Sequence, residues 1–237
     1  MIDLAILIID RFHLRINIAR GGSGMSGWEI VFCGYFSLIF MYLKFLIIWR
    51  FFRIWALFDS IFAVENMPKC IFNNCTFRGF WQGWHASINV WIIRYVYKPL
   101  GARESQNWTI WIIFFFIGLW HDVQLNWIAW ALLNCVFFSL ENFLIGLLGK
   151  KIRSAEKYFP YRILIGLLGA LNLVFLALAN LAIMLGFDGS VQYLYLVLFY
   201  KDPASGTYLF NYQLLAGCLG TLFVITQIQL GIKYKLD

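Results

Sequence analysis

Four stretches of this chain, Ile30–Trp49, residues 108–149, Ile163–Phe187 and Leu209–Ile232, are apolar for about 20 residues or more, the length that crosses the ~30 Å hydrocarbon core of a bilayer. Such blocks leave few options. In lipid each segment must satisfy its own backbone hydrogen bonds, and a long apolar run does so as a helix. Composition closes the other routes: 62% of residues are hydrophobic and 13% charged, against ~25% charged in an ordinary soluble domain. Water-soluble globular, disordered, collagen-like and disulfide-scaffold chains are excluded. The five cysteines are odd in number and scattered, so they imply no disulfide framework. The expected fold class is all-α, a polytopic transmembrane helical bundle.

The net charge of +7 comes from 19 basic and 12 acidic residues. The basic residues sit between the apolar blocks, which is the pattern of topology marking and not of a nucleic-acid surface. The stretch KKIRSAEKYFPYR (150–162) is the strongest such marker and is expected in the cytosol. Residues 1–29 read as a short N-terminal segment and polar loop, and 30–237 as the membrane domain. The N-terminal apolar run is too short to span, and Asp3 stands where a signal peptide is basic, so the chain is expected to begin partway through a longer protein. Val191–Tyr200 is short enough to be re-entrant, which gives about five or six membrane elements in all. Lys201-Asp202-Pro203 opens a polar loop.

Residues 63–79 read as a polar connection. Cys70 and Cys75 lack the paired partners that zinc needs, and three dispersed histidines give no metal constellation, so no metal is expected. Asn74-Cys75-Thr76 and Asn107-Trp108-Thr109 fit the glycosylation pattern N-x-[ST]. Residues 80–97 read as one helix. On its wheel Gln82, His85 and Asn89 share a polar stripe, and Lys98-Pro99-Leu100-Gly101 ends it. The break between the two spans of 108–149 falls at Trp120-His121-Asp122 to Asn126.

Ionisable residues in such segments are costly and mark functional sites by default. His121 fits a general base, since a neutral imidazole with a pKa near 6.5 can take a hydroxyl proton at neutral pH. It fits equally a hydrogen-bonded turn residue at the membrane interface. His85 fits a group that orients a substrate or stabilises an oxyanion, or else a polar contact between helices. Asp122 points about 100° away from its neighbour on an unbroken helix, so a solvated turn residue is the plainer role. Trp81, Trp84, Trp91, Trp108, Trp111, Trp120, Trp127 and Trp130 fit either an acyl-lined groove or interfacial belts.

The core at 65–141 carries a resemblance. Glu65-Asn66-Met67-Pro68-Lys69-Cys70, then Phe80-Trp81-x-x-Trp84-His85-x-Ser87-x-Asn89-x-Trp91, then Arg94-Tyr95-x-Tyr97-x-Pro99-Leu100-Gly101, and finally Leu119-Trp120-His121-Asp122 resemble the membrane-bound O-acyltransferase family. Within it they are most similar to the glycerol-uptake-protein-like branch, related to Hedgehog acyltransferase. The resemblance implies a multi-span endoplasmic-reticulum protein that moves a fatty acyl group from acyl-CoA to a lipid, sterol or protein acceptor. Acyl-CoA is then a co-substrate, and no resident cofactor is implied. The family's near-universal histidine falls on His121 and its second active-site position on His85. Trp81, Trp84, Asn89, Trp120, Asp122 and Arg94 become candidate substrate-binding residues. Arg94, Lys98 and Arg103 either meet CoA phosphates or serve as cytosolic anchors. The expected acceptor is a lysolipid or GPI-anchor lipid. Family proteins are considerably longer, so the resemblance implies a C-terminal part, N-terminally truncated. The rival readings are polyol (glycerol) transport and a catalytically inactive or regulatory fragment.

Overall fold

Ser26 and Glu29 start the first helix by capping each other. Ser26 N donates to Glu29 Oε2 (2.7 Å) and Glu29 N donates to Ser26 Oγ (3.4 Å), a capping box. From there α1 (Gly27–Phe58) runs 32 residues, since neither Pro nor Gly interrupts its second half. The span expected to end at Trp49 therefore continues, and Lys44, Arg50 and Arg53 are helical. The computed structural model describes residues 25–70, 74–101, 106–155, 159–201 and 206–236. The N-terminal run, Arg103, residues 156–158 of the basic stretch and Asp202-Pro203 lie outside them.

After α1 come two seven-residue helices, α2 (Phe77–Gly83) and α3 (Ala86–Ile92), and a π-helical turn (Ile93–Tyr97). Then α4 (Gln106–His121) and α5 (Leu125–Ala155) pack against each other across a three-residue turn. Next is α6 (Phe159–Leu198), kinked at Gly186 (φ 72°, ψ 179°), a backbone conformation open to glycine alone. Strands β1 (Phe199–Lys201) and β2 (Tyr208–Phe210) pair antiparallel with Tyr200 opposite Leu209, and α7 (Tyr212–Leu236) closes the chain.

The chain is an all-α transmembrane protein with one short ribbon among the described residues. Among the described residues four helices are long and apolar enough to cross a membrane: Gly27–Phe58, Leu125–Leu147, Pro160–Leu198 and Tyr212–Gly231. The count expected from sequence was higher. Trp108–His121 is apolar but too short, because 14 residues rise only ~21 Å. The re-entrant element expected at Val191–Tyr200 is the last part of α6 beyond the kink, and its final residues belong to β1.

Two units form. One comprises the described residues up to Leu43 together with those of Ala177–Thr221. Its core is Ile30, Cys33, Leu181, Leu185 and Tyr193. Gly34 lies under the Tyr193 ring: a Cβ there would stand 3.0 Å from Cζ and 3.1 Å from Cε2, and would overlap the hydroxyl. Gly34→Val is therefore expected to destabilise this unit by about 1–3 kcal/mol, the usual cost of overpacking. A lower melting temperature in detergent reads it out; an unchanged melt disproves the close packing.

The other unit comprises Lys44–Leu176 with the chain from Leu222 onward. Phe77, Phe80 and Leu176 centre its core, with Trp81, Trp84, Phe137, Phe138 and Phe175 around them. Polar side chains tie α7 to α6 here: Thr226 Oγ1 donates to Gly166 O (2.9 Å) and Gln227 Nε2 to Arg162 O (2.8 Å). Such interhelical bonds are worth roughly 0.6–2 kcal/mol each in membranes. All the candidate site residues lie in this second unit.

Candidate functional site

The single helix expected over 80–97 is in fact broken, and the break makes the site. Gly83 ends α2, and Trp84 is extended (φ −89°, ψ 121°). His85 then turns left-handed (φ 51°, ψ 57°) before α3 begins at Ala86. Helical phase is lost at that turn, so Gln82 does not continue the stripe of His85 and Asn89. A left-handed conformation at a residue other than glycine is uncommon and costs ~1–2 kcal/mol. Three contacts surround it. The ring of Trp49 stands 4.5 Å from the His85 ring, edge on. Ser87 Oγ lies 3.2 Å from His85 Nδ1. Asn66 O and Oδ1 accept from Ala86 N and Ser87 N, both at 3.0 Å.

His121 is the last residue of α4 and is exposed. Its ring stacks on Trp127 (4.5 Å, 12°) across the turn into α5 and meets Trp130 (6.0 Å) and Trp120 (4.8 Å) edge on. Among the described residues no hydrogen bond reaches its ring nitrogens. Trp130, 2% exposed, also packs edge on against Trp81 (5.6 Å), and Phe114 lies against both. An aromatic wall thus runs from His121 back to α2. The indole N–H groups of Trp81 and Trp130 are buried within it without acceptors among the described residues.

Both histidines lie outside the four long apolar helices. Desolvation by the surrounding rings holds the His121 pKa below its usual 6.5, and positive charge on His85 lowers it further. His85 is lowered as well, by burial, partly opposed by a backbone hydrogen bond. Each histidine is thereby biased to the neutral form.

The other candidates divide. Trp81 packs in the wall, while Trp84 packs on Trp49 and Phe45 (both 5.7 Å) next to His85. Asn89 lies one turn along α3, its N–H donating to His85 O (3.2 Å). Trp120 beside His121 is 55% exposed, and Asp122 sits exposed in the turn after α4. Arg94 and Lys98 are exposed on and just after the π turn.

Asn66 and Ser87 stand among the residues that carry the resemblance, but sequence reasoning gave no role to them or to Trp49 or Glu141. Trp49 comes from α1, and no spacing links it to His85. Glu141 (4% exposed) accepts from Phe77 N (2.6 Å) and Arg78 N (3.4 Å), so α5 caps α2. The pattern Asn74-Cys75-Thr76 is also structural. Asn74 is buried against α2, and Thr76 is its N-cap, accepting from Gly79 N (3.0 Å). Arg50 and Arg53 are engaged by Glu65 at 3.7 and 3.3 Å.

The profile of the membrane-bound O-acyltransferase family matches residues 25–185, from the start of α1 to the kink in α6. The chain is similar to the membrane-bound O-acyltransferase GUP2 of Saccharomyces cerevisiae, 38% identical over 157 residues, which are 65% of this chain and 25% of that one. It is similar to GUP1 of the same yeast, also called a membrane-bound O-acyltransferase, at 33% over 228 residues, 95% of this chain and 39% of that one. The protein-cysteine N-palmitoyltransferase HHAT of Mus musculus is 26% identical over 136 residues, 55% of this chain and 27% of that one. The chain spans between a quarter and two fifths of the length of these relatives.

Proposed function

Because the chain belongs to the membrane-bound O-acyltransferase family, we propose that this integral membrane protein transfers a fatty acyl group from acyl-CoA to a hydroxyl acceptor, with His121 as general base and His85 as hydrogen-bond donor. The observation that carries the reading is the contrast between the two rings. His121 is exposed with its nitrogens unengaged among the described residues, as a base must be before substrate arrives. His85 has Nδ1 beside Ser87 Oγ, and Ser87 Oγ has no other partner among the described residues. Ser87 Oγ can donate to Nδ1 or accept from it; where it donates, the proton of neutral His85 sits on Nε2 and is available to a developing oxyanion.

The step balances without a redox partner. A His121 ring nitrogen takes the acceptor's hydroxyl proton while the oxygen bonds to the thioester carbonyl carbon. The carbonyl electron pair moves onto its oxygen, which accepts a hydrogen bond from His85 Nε2–H. Collapse breaks the C–S bond, and the departing CoA thiolate takes the proton back from His121. An ester replaces a thioester. Trp81, Trp84 and Trp120 line the acyl path, with Asn89 and Asp122 toward the acceptor and Arg94 toward the CoA phosphates. The preferred acceptor is a lysolipid or GPI-anchor lipid in the endoplasmic-reticulum membrane, as the resemblance of residues 65–141 to the glycerol-uptake-protein-like branch implies; the similarity to the GUP proteins supports only an O-acyltransferase.

The test is transfer of labelled long-chain acyl-CoA in acyltransferase-depleted membranes, followed against pH. The base must be neutral to act, and desolvation holds its pKa down. The rate is expected to fall as pH drops through an apparent midpoint below 6.5 and to be level from pH 7 to 8. Label is expected in a lipid band. A midpoint above 7, or a rate that rises toward acid, removes His121 as base. Label confined to protein moves the acceptor to the class that the HHAT name describes.

A further inference from the structure

The helix that begins at His85 is capped by another part of the chain. A helix needs acceptors for its first N–H groups, and the N-cap side chain usually supplies one. His85 occupies that position in α3 and its side chain makes no capping bond. Asn66, in the loop after α1, supplies both acceptors, with its backbone oxygen on Ala86 N and its side-chain Oδ1 on Ser87 N. That loop is itself pinned. Glu65 Oε2 engages Arg53 Nη1 (3.3 Å), Glu65 Oε1 accepts from Met67 N (3.3 Å), and Arg53 Nε donates to Ala63 O (3.1 Å). The Met67 side chain beyond is buried. A left-handed residue other than glycine persists only where its surroundings over-determine it. Here Asn66 holds the backbone on one side, while Ser87 and Trp49 hold the ring.

We propose that Asn66 is a positioning residue for His85: by capping α3 from outside, it keeps Ser87 Oγ on Nδ1 and so holds the imidazole in a single tautomer. Its effect on rate rests on the acyl-transfer reading; its effect on the imidazole does not.

The test uses the full chain with ¹⁵N-labelled histidine in detergent. The chain has three histidines. The His85 signals are those lost in His85→Gln. Wild type is expected to show His85 as a single tautomer, Nε2–H where Ser87 donates to Nδ1. Asn66→Ala removes Oδ1 and is expected to average the two tautomers, and Asn66→Asp, which keeps an acceptor oxygen there, to restore one. In membranes Asn66→Ala is expected to lower transfer about 10- to 100-fold, the scale of an ångström's misplacement. Asn66→Asp at pH 8 is expected to recover most of it. If Asn66→Ala does not fold, Asn66→Ser, whose hydroxyl stops one bond short, carries the same expectation. A His85 tautomer unchanged in the folded variant overturns the proposal. A tautomer that averages in a chain without any transfer activity supports the positioning role and removes the acyl-transfer reading instead.

Discussion

His121→Ala is expected to reduce acyl transfer by about 10²–10⁴-fold, the usual contribution of a general base, and to leave expression and melting temperature nearly unchanged. The asymmetry follows from where the residue sits. His121 ends α4, is exposed, and takes no hydrogen bond from the described residues. Its removal forfeits mainly the stack on Trp127, and aromatic pairs contribute about 0.5–1.5 kcal/mol beyond their buried area. A second substitution separates chemistry from packing. His121→Phe keeps a flat ring against Trp127 but has no lone pair to accept a proton, so it is expected to be as inactive as the alanine variant. Labelled acyl-CoA incorporation compares all three chains. Activity restored by phenylalanine would mean that the ring serves as a wall of the groove, and His121 would lose its role as base. Equal incorporation by all three would mean that the transfer does not pass through this residue.

The long apolar blocks were legible because length and hydropathy alone decide them. The turn at Asp122 was legible too, since a polar cluster interrupts a long apolar run. The capping box of Ser26 and Glu29 was present as S-x-x-E but passed without notice. The break at His85 was hidden for a different reason. Ala86-Ser87-Ile88-Asn89 continues the periodicity of the residues before it, and Gly83 is the one local sign of an end. What breaks the helix is Asn66, whose oxygens compete for the N–H groups of Ala86 and Ser87. A wheel drawn across that point places Gln82 with His85 on a face that does not exist. Composition likewise gave tryptophan two uses without deciding between them. Trp81, Trp84 and Trp130 pack inward, while Trp91, Trp108 and Trp120 are exposed. Burial is a property of the partner helix, and a single strand of sequence carries no record of it.

The residue with the largest expected effect on folding is one that sequence reasoning passed over. Glu141 lies within an apolar helix, where an ionisable group costs ~2.5–3.5 kcal/mol unless it is used. Its two oxygens accept from Phe77 N, Arg78 N and Asn172 Nδ2, at 2.6, 3.4 and 3.2 Å. Asn172 Nδ2 in turn lies 3.3 Å from Cys75 O, so one carboxylate joins α5, α6 and the entry to α2. With seven residues, α2 is far below the ~12–15 at which an isolated helix is even marginal. It stands because Thr76 caps Gly79 N, Glu141 caps Phe77 N and Arg78 N, and Phe77 and Phe80 are buried. Glu141→Leu keeps the bulk and removes every acceptor. Phe77 N and Arg78 N are then left without a partner at about 1–3 kcal/mol each, while Asn172 Nδ2 keeps Cys75 O, and the sum is a large fraction of the stability of many domains. The expected result is little monodisperse protein on size exclusion in detergent and a much lowered melting temperature, with activity lost as a consequence. Glu141→Gln keeps one carbonyl oxygen at the helix end and is expected to fall between. Wild-type folding of the leucine variant would show that α2 stands without its cap. The contrast with His121 is the physical point: one residue is expendable to the fold and needed for the chemistry, and the other is remote from the reacting atoms and holds up the helix on which Trp81 sits and from which the chain turns into His85.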